Sequence, residues 1–439
     1  MENKKAIWVS KFGGTSLANA QQIKKVKEII FADERRNIVV VSAPGKEDPT
    51  DTKITDLLLQ CHALASQGKS FDEPFANISK RFLTIAAELQ VGQQIKEELK
   101  TIYKRLFQEK SADYAASRGE YLNALIISEY FGAEFVDAKE IIRLTSAGRV
   151  DELSYDLTAK RLTKCTGRIV IPGFYGTNTN GTIQTFSRGG SDITGAIVAR
   201  AVQAELYENW TDVSGIYLAD PRIVPDAKPV AQITYREIRE LSCIGANVLH
   251  EDAIGPVRSA QIPIHIKNTN DSTAPGTIIR ATRDSNLQHI VGVSGKKGYR
   301  KLSIEKFMLA TYPALKEQLQ QILHKKKIRF DLVVDAFDAM TIYLSTEIEE
   351  EQAQALAQEL QLVLDLDNCQ MSEPLVLIGL VGEGLGREEH LAERINQALG
   401  TQKRYFSLLA GVFDLKMVMT VPVKAYESTL QAIVEVVRT

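Results

Sequence analysis

S-R-G-G-S-D, residues 187–192, joins a turn-rich segment to an apolar helical one. Upstream, R-I-V-I-P at 168–172 is a short apolar run with β-branched residues, which predicts a buried strand. G-F-Y-G-T-N-T-N-G-T at 173–182 supplies turn residues, and Asn180-Gly181 is a hairpin signal. Downstream, D-I-T-G-A-I-V-A-R-A-V at 192–202 predicts a well-buried helix. Gly189 and Gly190 therefore stand where a loop feeds a helix, with Ser191 or Asp192 expected to cap it. Two glycines permit close backbone approach, and free amides at a helix N-terminus attract anions. Arg188 adds a planar fork that suits a carboxylate or a phosphate. The same residues equally describe a capped helix after a glycine turn, with a surface arginine.

Working outward, the chain opens with a strand at residues 6–12, then Gly13-Gly14-Thr15-Ser16, then a segment at 17–30 with Ile23, Val26, Ile29 and Ile30 near helical period. This strand, turn and helix would aim amides at an anion, with Lys11 at the strand end. It also fits an ordinary strand-to-helix turn, and no G-x-x-x-x-G-K-[ST] loop occurs. Residues 38–42 form a second apolar strand, followed by a polar loop at 44–53 and a helix resuming at Ile54. Residues 74–131 read as largely helical. S-R-G-E-Y-L at 117–122 is expected to mark a helix start, with Glu120 in the first turn answering the helix dipole. Beyond the central stretch, 205–210 predicts a strand and 211–222 the loop leaving it. In open α/β sheets such a loop is where ligands bind, although a surface turn has the same composition.

Strands and helices alternate to about residue 280, which implies a mostly parallel sheet covered by helices. The expected fold class is α/β: a three-layer αβα domain at 1–287, then two α+β units of βαββαβ type. Those units are placed at 288–370 and 371–439, with approximate boundaries and nesting allowed. One strand of the second is expected at 408–412.

A length of 439 residues suits several cores, and Lys+Arg 53 against Asp+Glu 55 gives no argument for nucleic acid. Cys61, Cys165, Cys243 and Cys369 are widely spaced and read as reduced thiols of a cytoplasmic protein. No apolar run reaches membrane-spanning length, and no secretory signal opens the chain.

K-F-G-G-T-S at 11–16, G-E-Y at 119–121, R-G-G-S-D at 188–192, W-T-D-V-S-G-I-Y at 210–217, A-D-P-R at 219–222 and V-L-H at 248–250 occur in that order. As a set they resemble the aspartate kinases, a branch of the amino acid kinase family followed by paired ACT-type regulatory units. The resemblance covers roughly residues 5–280 closely and the rest by pattern alone. It implies transfer of a phosphoryl group from MgATP to the side-chain carboxylate of L-aspartate, giving 4-phospho-L-aspartate on the way to lysine, threonine and methionine.

By the same resemblance Lys11, with Gly13 and Gly14, attends the phosphates, and Asp192 orients Lys11. Thr15, Ser16, Thr55, Gly189, Gly190 and Ser191 line the substrate side. Arg188 clamps the aspartate α-carboxylate, and Glu120 accepts from its α-ammonium. Thr211, Asp212, Tyr217, Arg222 and Asn247 hold the nucleotide. Asn247 is a departure, since many relatives carry lysine there in G-A-K-V-L-H. The 44–53 loop is a second departure, longer than in relatives that join this strand directly to the helix.

The resemblance further implies a homodimer joined through the C-terminal units. Its effector would be lysine or alternatively threonine, bound at a strand-to-helix loop. Gly382, Glu383 and Gly384 supply such a loop. Residues 307–313, with a proline and no glycine, suggest that the first unit is altered. Two readings compete: a family member acting on glutamate, N-acetylglutamate, carbamate or a nucleotide, and a paralogue that only senses an amino acid. The K-F-G-G-T start, Gly119-Glu120 and the paired C-terminal units argue against the first. Intact Lys11, Arg188 and Asp192 argue against the second.

Overall fold

A computed structural model describes residues 6–109, 111–187, 189–246, 249, 251–400, 405–406 and 415–438. Arg188, Asn247, Val248, His250 and the strand expected at 408–412 lie outside the described residues. The chain divides into two compact units. One comprises Met1–Ile216, Pro229–Ile238 and Asn247–Arg283; the other comprises Tyr217–Lys228, Arg239–Ala246 and Asp284–Thr439.

The first unit is built on an eight-stranded sheet. Its spatial order is Gln232–Thr234, Thr277–Arg280, Ile264–Asn268, Leu206–Thr211, Trp8–Phe12, Arg36–Val41, Ile169–Pro172, Glu134–Phe135. Neighbours pair in parallel except Ile264–Asn268 with Thr277–Arg280. Trp8–Phe12 is central. From it the chain builds outward first through Arg36–Val41, and later through Leu206–Thr211 on the other side. This reversal creates the crevice at the strands' carboxyl ends where open α/β sheets bind ligands. The apolar strand cores are buried on both faces, as parallel sheets require.

Helices Ala20–Phe31, Ile54–Ser66, Asp72–Glu88, Ile95–Glu109 and Ala112–Phe131 share one apolar core with Phe12, Val39, Val41, Val170 and Trp210. Helix Ala112–Phe131 is a single run of 20 residues, capped by Ser111, whose side chain accepts from the Tyr114 amide at 3.2 Å. The helix start expected at 117–122 is therefore five residues too late, on the count from Ala112 to Ser117, and Glu120 is mid-helix and buried. Gly119 reads as a break in sequence but serves packing. A β-carbon there would stand 2.8 Å from the Ala43 Cβ and 3.3 Å from Ile54 Cγ2.

The hairpin signal at Asn180-Gly181 is met: Tyr175–Thr177 and Ile183–Thr185 pair antiparallel, and Gly181 takes φ +78°. Helix Gly190–Ala201 begins after Gly189, whose left-handed φ of +59° makes it the N-cap. Neither Ser191 nor Asp192 caps it, because no side chain accepts from its first amides.

The second unit holds one seven-stranded sheet and two apolar cores. The 14-residue strand Gly292–Glu305 runs through both. Its C-terminal half pairs with Ala339–Leu344 and Asn368–Met371, and residues 300–371 enclose one core around Leu302, Leu319 and Ile342. Its N-terminal half pairs with Leu375–Val381, and the second core gathers Val293, Val376, Met419 and Ile433 with Leu218, Ala219, Val224 and Ala227. The first βαββαβ unit is thus nested inside the second.

Candidate active site

Lys11 is the penultimate residue of the central strand and stands opposite Asn209 in the parallel register. Its ammonium is almost wholly buried and pairs with Asp192 Oδ1 at 2.5 Å. Asn209 closes the group, with Nδ2 donating to Asp192 Oδ1 at 2.9 Å and Oδ1 accepting from Lys11 Nζ at 3.4 Å. Asp192 comes from the first turn of helix Gly190–Ala201, so three elements converge on one charge cluster. A buried ammonium left unpaired would be costly. Here a carboxylate and an amide satisfy two of its three donors and leave one.

That remaining donor has space. A β-carbon at Gly13 would sit 3.7 Å from Lys11 Nζ and 3.7 Å from the Trp210 carbonyl, so the missing side chain leaves room beside the ammonium. The Gly13 amide itself is committed, donating to Trp210 O at 3.0 Å, so it is not available to a phosphate as the sequence suggested. The amides of Gly14 and Thr15 find no backbone acceptor among the described residues. Ser16 points inward instead, its hydroxyl 2.7 Å from that of Thr269, which suits packing and not substrate contact.

Glu120 lies beyond the Gly14 turn, to which it is linked through one loop. Gly45 N–H donates to Gly14 O at 2.8 Å, and the Glu120 carboxylate accepts from the backbone of Ala43. Burial pushes its pKa up to about 8, the backbone donors opposing only in part. Its Oε2 is buried with no hydrogen-bond partner. An orphaned carboxylate oxygen calls for a cationic donor, and a substrate ammonium supplies one. One turn on, Asn123 Nδ2 donates to Ser42 O at 2.7 Å while its Oδ1 is likewise unpaired.

The loop at 44–53 is folded on itself and fastened by Arg81. Arg81 Nη2 donates to Gly45 O at 2.8 Å and Asp51 Oδ2 at 2.7 Å, and Nη1 pairs with Glu47 at 2.7 Å. Thr55 follows in the first turn of helix Ile54–Ser66. Ser191 is buried against Gly173, and Gly190 packs on Phe174. Thr211 ends its strand and its hydroxyl donates to the exposed Asp212 at 3.1 Å. Tyr217 and Arg222 fall in the second unit. There Tyr217 packs on the core, and Arg222 pairs with Asp220 at 2.6 Å. Gly382 and Gly384 lie in that unit too, where β-carbons would strike the His289 backbone at 2.0 and 2.5 Å. Their glycine identity is thus accounted for by packing.

The structure therefore unites Lys11, Gly13, Gly14 and Asp192, with Glu120 one loop away. Asn209 and Asn123 went unread in the sequence. The usable signal was Glu208-Asn209, two polar residues inside an otherwise apolar buried strand.

Residues 6–268 match the amino acid kinase family. Aspartokinase 3 of Bacillus subtilis is 36% identical over 407 residues, covering 89% of each chain. The crystal structure of Clostridium acetobutylicum aspartate kinase superposes with a TM-score of 0.91 at 39% identity, over 98% of this chain and 100% of that one. Escherichia coli aspartokinase III in complex with aspartate and ADP gives 0.79 at 25% identity, over 99% and 100%. The chain belongs to the amino acid kinase family, and within it to the aspartate kinases. It is an ATP-dependent kinase, and no helix among the described residues is long and apolar enough to cross a membrane.

Proposed function

We propose that the Lys11–Asp192–Asn209 cluster, the Gly13-Gly14 turn and Glu120 form the site where this aspartate kinase moves the γ-phosphoryl group of ATP onto the side-chain carboxylate of L-aspartate. A carboxylate oxygen bonds to the γ-phosphorus as the bond to the β–γ bridging oxygen breaks, leaving ADP and 4-phospho-L-aspartate. The acceptor is already ionised at neutral pH, so no side chain need remove a proton. The obstacle is bringing two anions together, and fixed positive charge with amide donors must offset it. The free donor of Lys11 suits the transferring phosphoryl, and the open amides of Gly14 and Thr15 suit its oxygens. Asp192, engaged by two donors, serves to hold Lys11 and not as a base.

The observation that carries the substrate reading is the buried, unpartnered oxygen of Glu120. It fits the α-ammonium of an amino acid, and Arg188 is assigned the α-carboxylate. Thr211, Asp212, Tyr217, Arg222 and Asn247 remain the proposed nucleotide side. Mg2+ is the companion of ATP in this reading. Bound to the phosphates, the ion would neutralise part of their charge. ATP consumption measured in parallel with aspartate, glutamate and carbamate tests the assignment. Turnover with carbamate or glutamate matching that with aspartate would refute it.

The proposal extends to the second unit as a regulatory platform in a cytoplasmic homodimer, with lysine, alternatively threonine, as effector. The Clostridium relative is called an allosteric enzyme, which supports regulation. Phe307 and Phe337, exposed at 73% and 86%, suit burial against a second copy. Initial rates with lysine, threonine and methionine, singly and in pairs, check it. No response at millimolar concentration, with the dimer intact by sedimentation, would leave a purely structural role.

A further inference from the structure

We infer that Asn209 is a positioning residue for phosphoryl transfer: it fixes the Lys11–Asp192 pair so that one ammonium proton of Lys11 faces the Gly13 turn. The inference rests on the site reading above and goes one residue beyond it. Asn209 is 2% exposed, and both ends of its amide are engaged by the two charged groups of the cluster. Chemistry fixes the amide's orientation, since only the NH2 can donate to the Asp192 carboxylate and only the oxygen can accept from the Lys11 ammonium.

A lysine ammonium on a four-carbon stem turns freely unless its donors are held. The short link to Asp192 holds one. The contact to Asn209 engages a second, and parallel pairing of the two strands sets that contact by register. The third is left unengaged, and Nζ lies 3.7 Å from where a β-carbon at Gly13 would stand, so the room for an acceptor is on that side. Asn209 also donates to the same Asp192 oxygen that Lys11 uses, so that oxygen's charge is shared and the lysine keeps more of its field for a phosphate. The amide does this without adding charge. Of the strand's ionisable side chains, Glu208 is turned to the opposite face and bound by Arg36 at 2.9 Å, and Tyr207 donates its hydroxyl to the Asp192 carbonyl at 3.0 Å.

The test uses the full chain with Asn209→Leu and Asn209→Asp, read by kcat, both KM values and melting temperature across pH. Asn209→Leu is expected to lower kcat by roughly ten- to a hundredfold, the range for a misplaced catalytic group, with each KM within about threefold of the parent. Asn209→Asp sets two carboxylates on one lysine and should be as slow at pH 8. It should regain kcat relative to the parent as pH falls, because protonation of one carboxylate restores the missing donor. Adding Asn209→Leu to Asp192→Asn should cost little beyond Asp192→Asn alone.

Parent-like kcat in Asn209→Leu overturns the inference, as does a parent-like pH profile in Asn209→Asp. Should Asn209→Leu not fold, the Asn209→Asp profile decides. Lys11→Met and Asp192→Asn run alongside. If they too turn over normally, the site reading itself fails. If they are slow and Asn209→Leu is not, only the role of Asn209 falls.

Discussion

Lys11 and Glu120 are two buried ionisable groups whose removal separates chemistry from binding. Lys11→Met keeps much of the volume and removes the charge. Turnover should fall roughly a thousandfold or more, since fixed charge at the phosphoryl centre is the main catalytic device available here. Melting temperature should fall as well, because Asp192 keeps only its Asn209 hydrogen bond once its cation is gone, so turnover is compared at a temperature where both proteins are folded. Unchanged turnover would remove Lys11 from the mechanism. Glu120 predicts a pH dependence. Its folded-state pKa, near 8, lies above the ordinary 4.5, so between those values the folded chain holds a proton that the unfolded chain has lost. Its contribution to stability is therefore fully present below about 4.5 and is lost as pH rises toward 8, an effect on the order of a few kcal/mol. Glu120→Gln, without ligand, should flatten that decline in a melting series. Binding runs the other way. The ammonium-binding form is the carboxylate, so KM for aspartate should rise as pH drops from 8 to 6 in the parent, and stay flat but high in Glu120→Gln.

At the scale of elements, the loop at 44–53 connects the Gly14 turn to helix Asp72–Glu88 through the Arg81 clasp. Arg81→Ala removes the clasp without touching the cluster around Lys11. Because the loop is largely exposed, the global cost should be only about 1 kcal/mol. The loop itself should become open to protease within 45–51, and kcat/KM for aspartate should drop about tenfold through displacement of the Gly14 turn. Equal protease resistance in both proteins would show that the clasp does not hold the loop.

This loop also marks what sequence could carry. The parallel sheet, the hairpin at Asn180-Gly181 and the placing of Lys11 beside a glycine turn were legible, because period and turn chemistry are local. Glu120 was misplaced to a helix start because Gly119 imitates a break, and only the approach of Ala43 explains that glycine. The Arg81–Asp51 contact spans 30 residues, and the partners of Asn209 lie 17 and 198 residues away, distances that periodicity and turn chemistry do not reach.

For the whole molecule, the chain does not hand over once from one unit to the next. Residues 217–228 and 239–246 leave the first unit and enter the second, whose core takes Leu218, Ala219, Val224 and Ala227 beside Ile290 and Val376. A chain cut after residue 287 would strip those four side chains of their cover. It should be poorly soluble, or melt well below the parent, although its own eight-stranded sheet is complete. A soluble fragment that melts like the parent would count against that dependence.

The strand Gly292–Glu305 carries a consequence for the order in which the chain folds. Its C-terminal half finds its partners inside one contiguous segment, whereas Val293 must wait for Leu380, which lies beyond the whole nested unit. Closing a long unstructured loop is slow and entropically opposed. Once residues 300–371 have condensed, however, their ends emerge side by side, since Leu302 is already paired with Met371. The long closure then becomes a short one. Newly made chains should protect the amides of Leu302 and Ile342 from hydrogen exchange before that of Val291, which donates to Val381 O at 2.8 Å, so that the inner unit serves the outer one as its folding template.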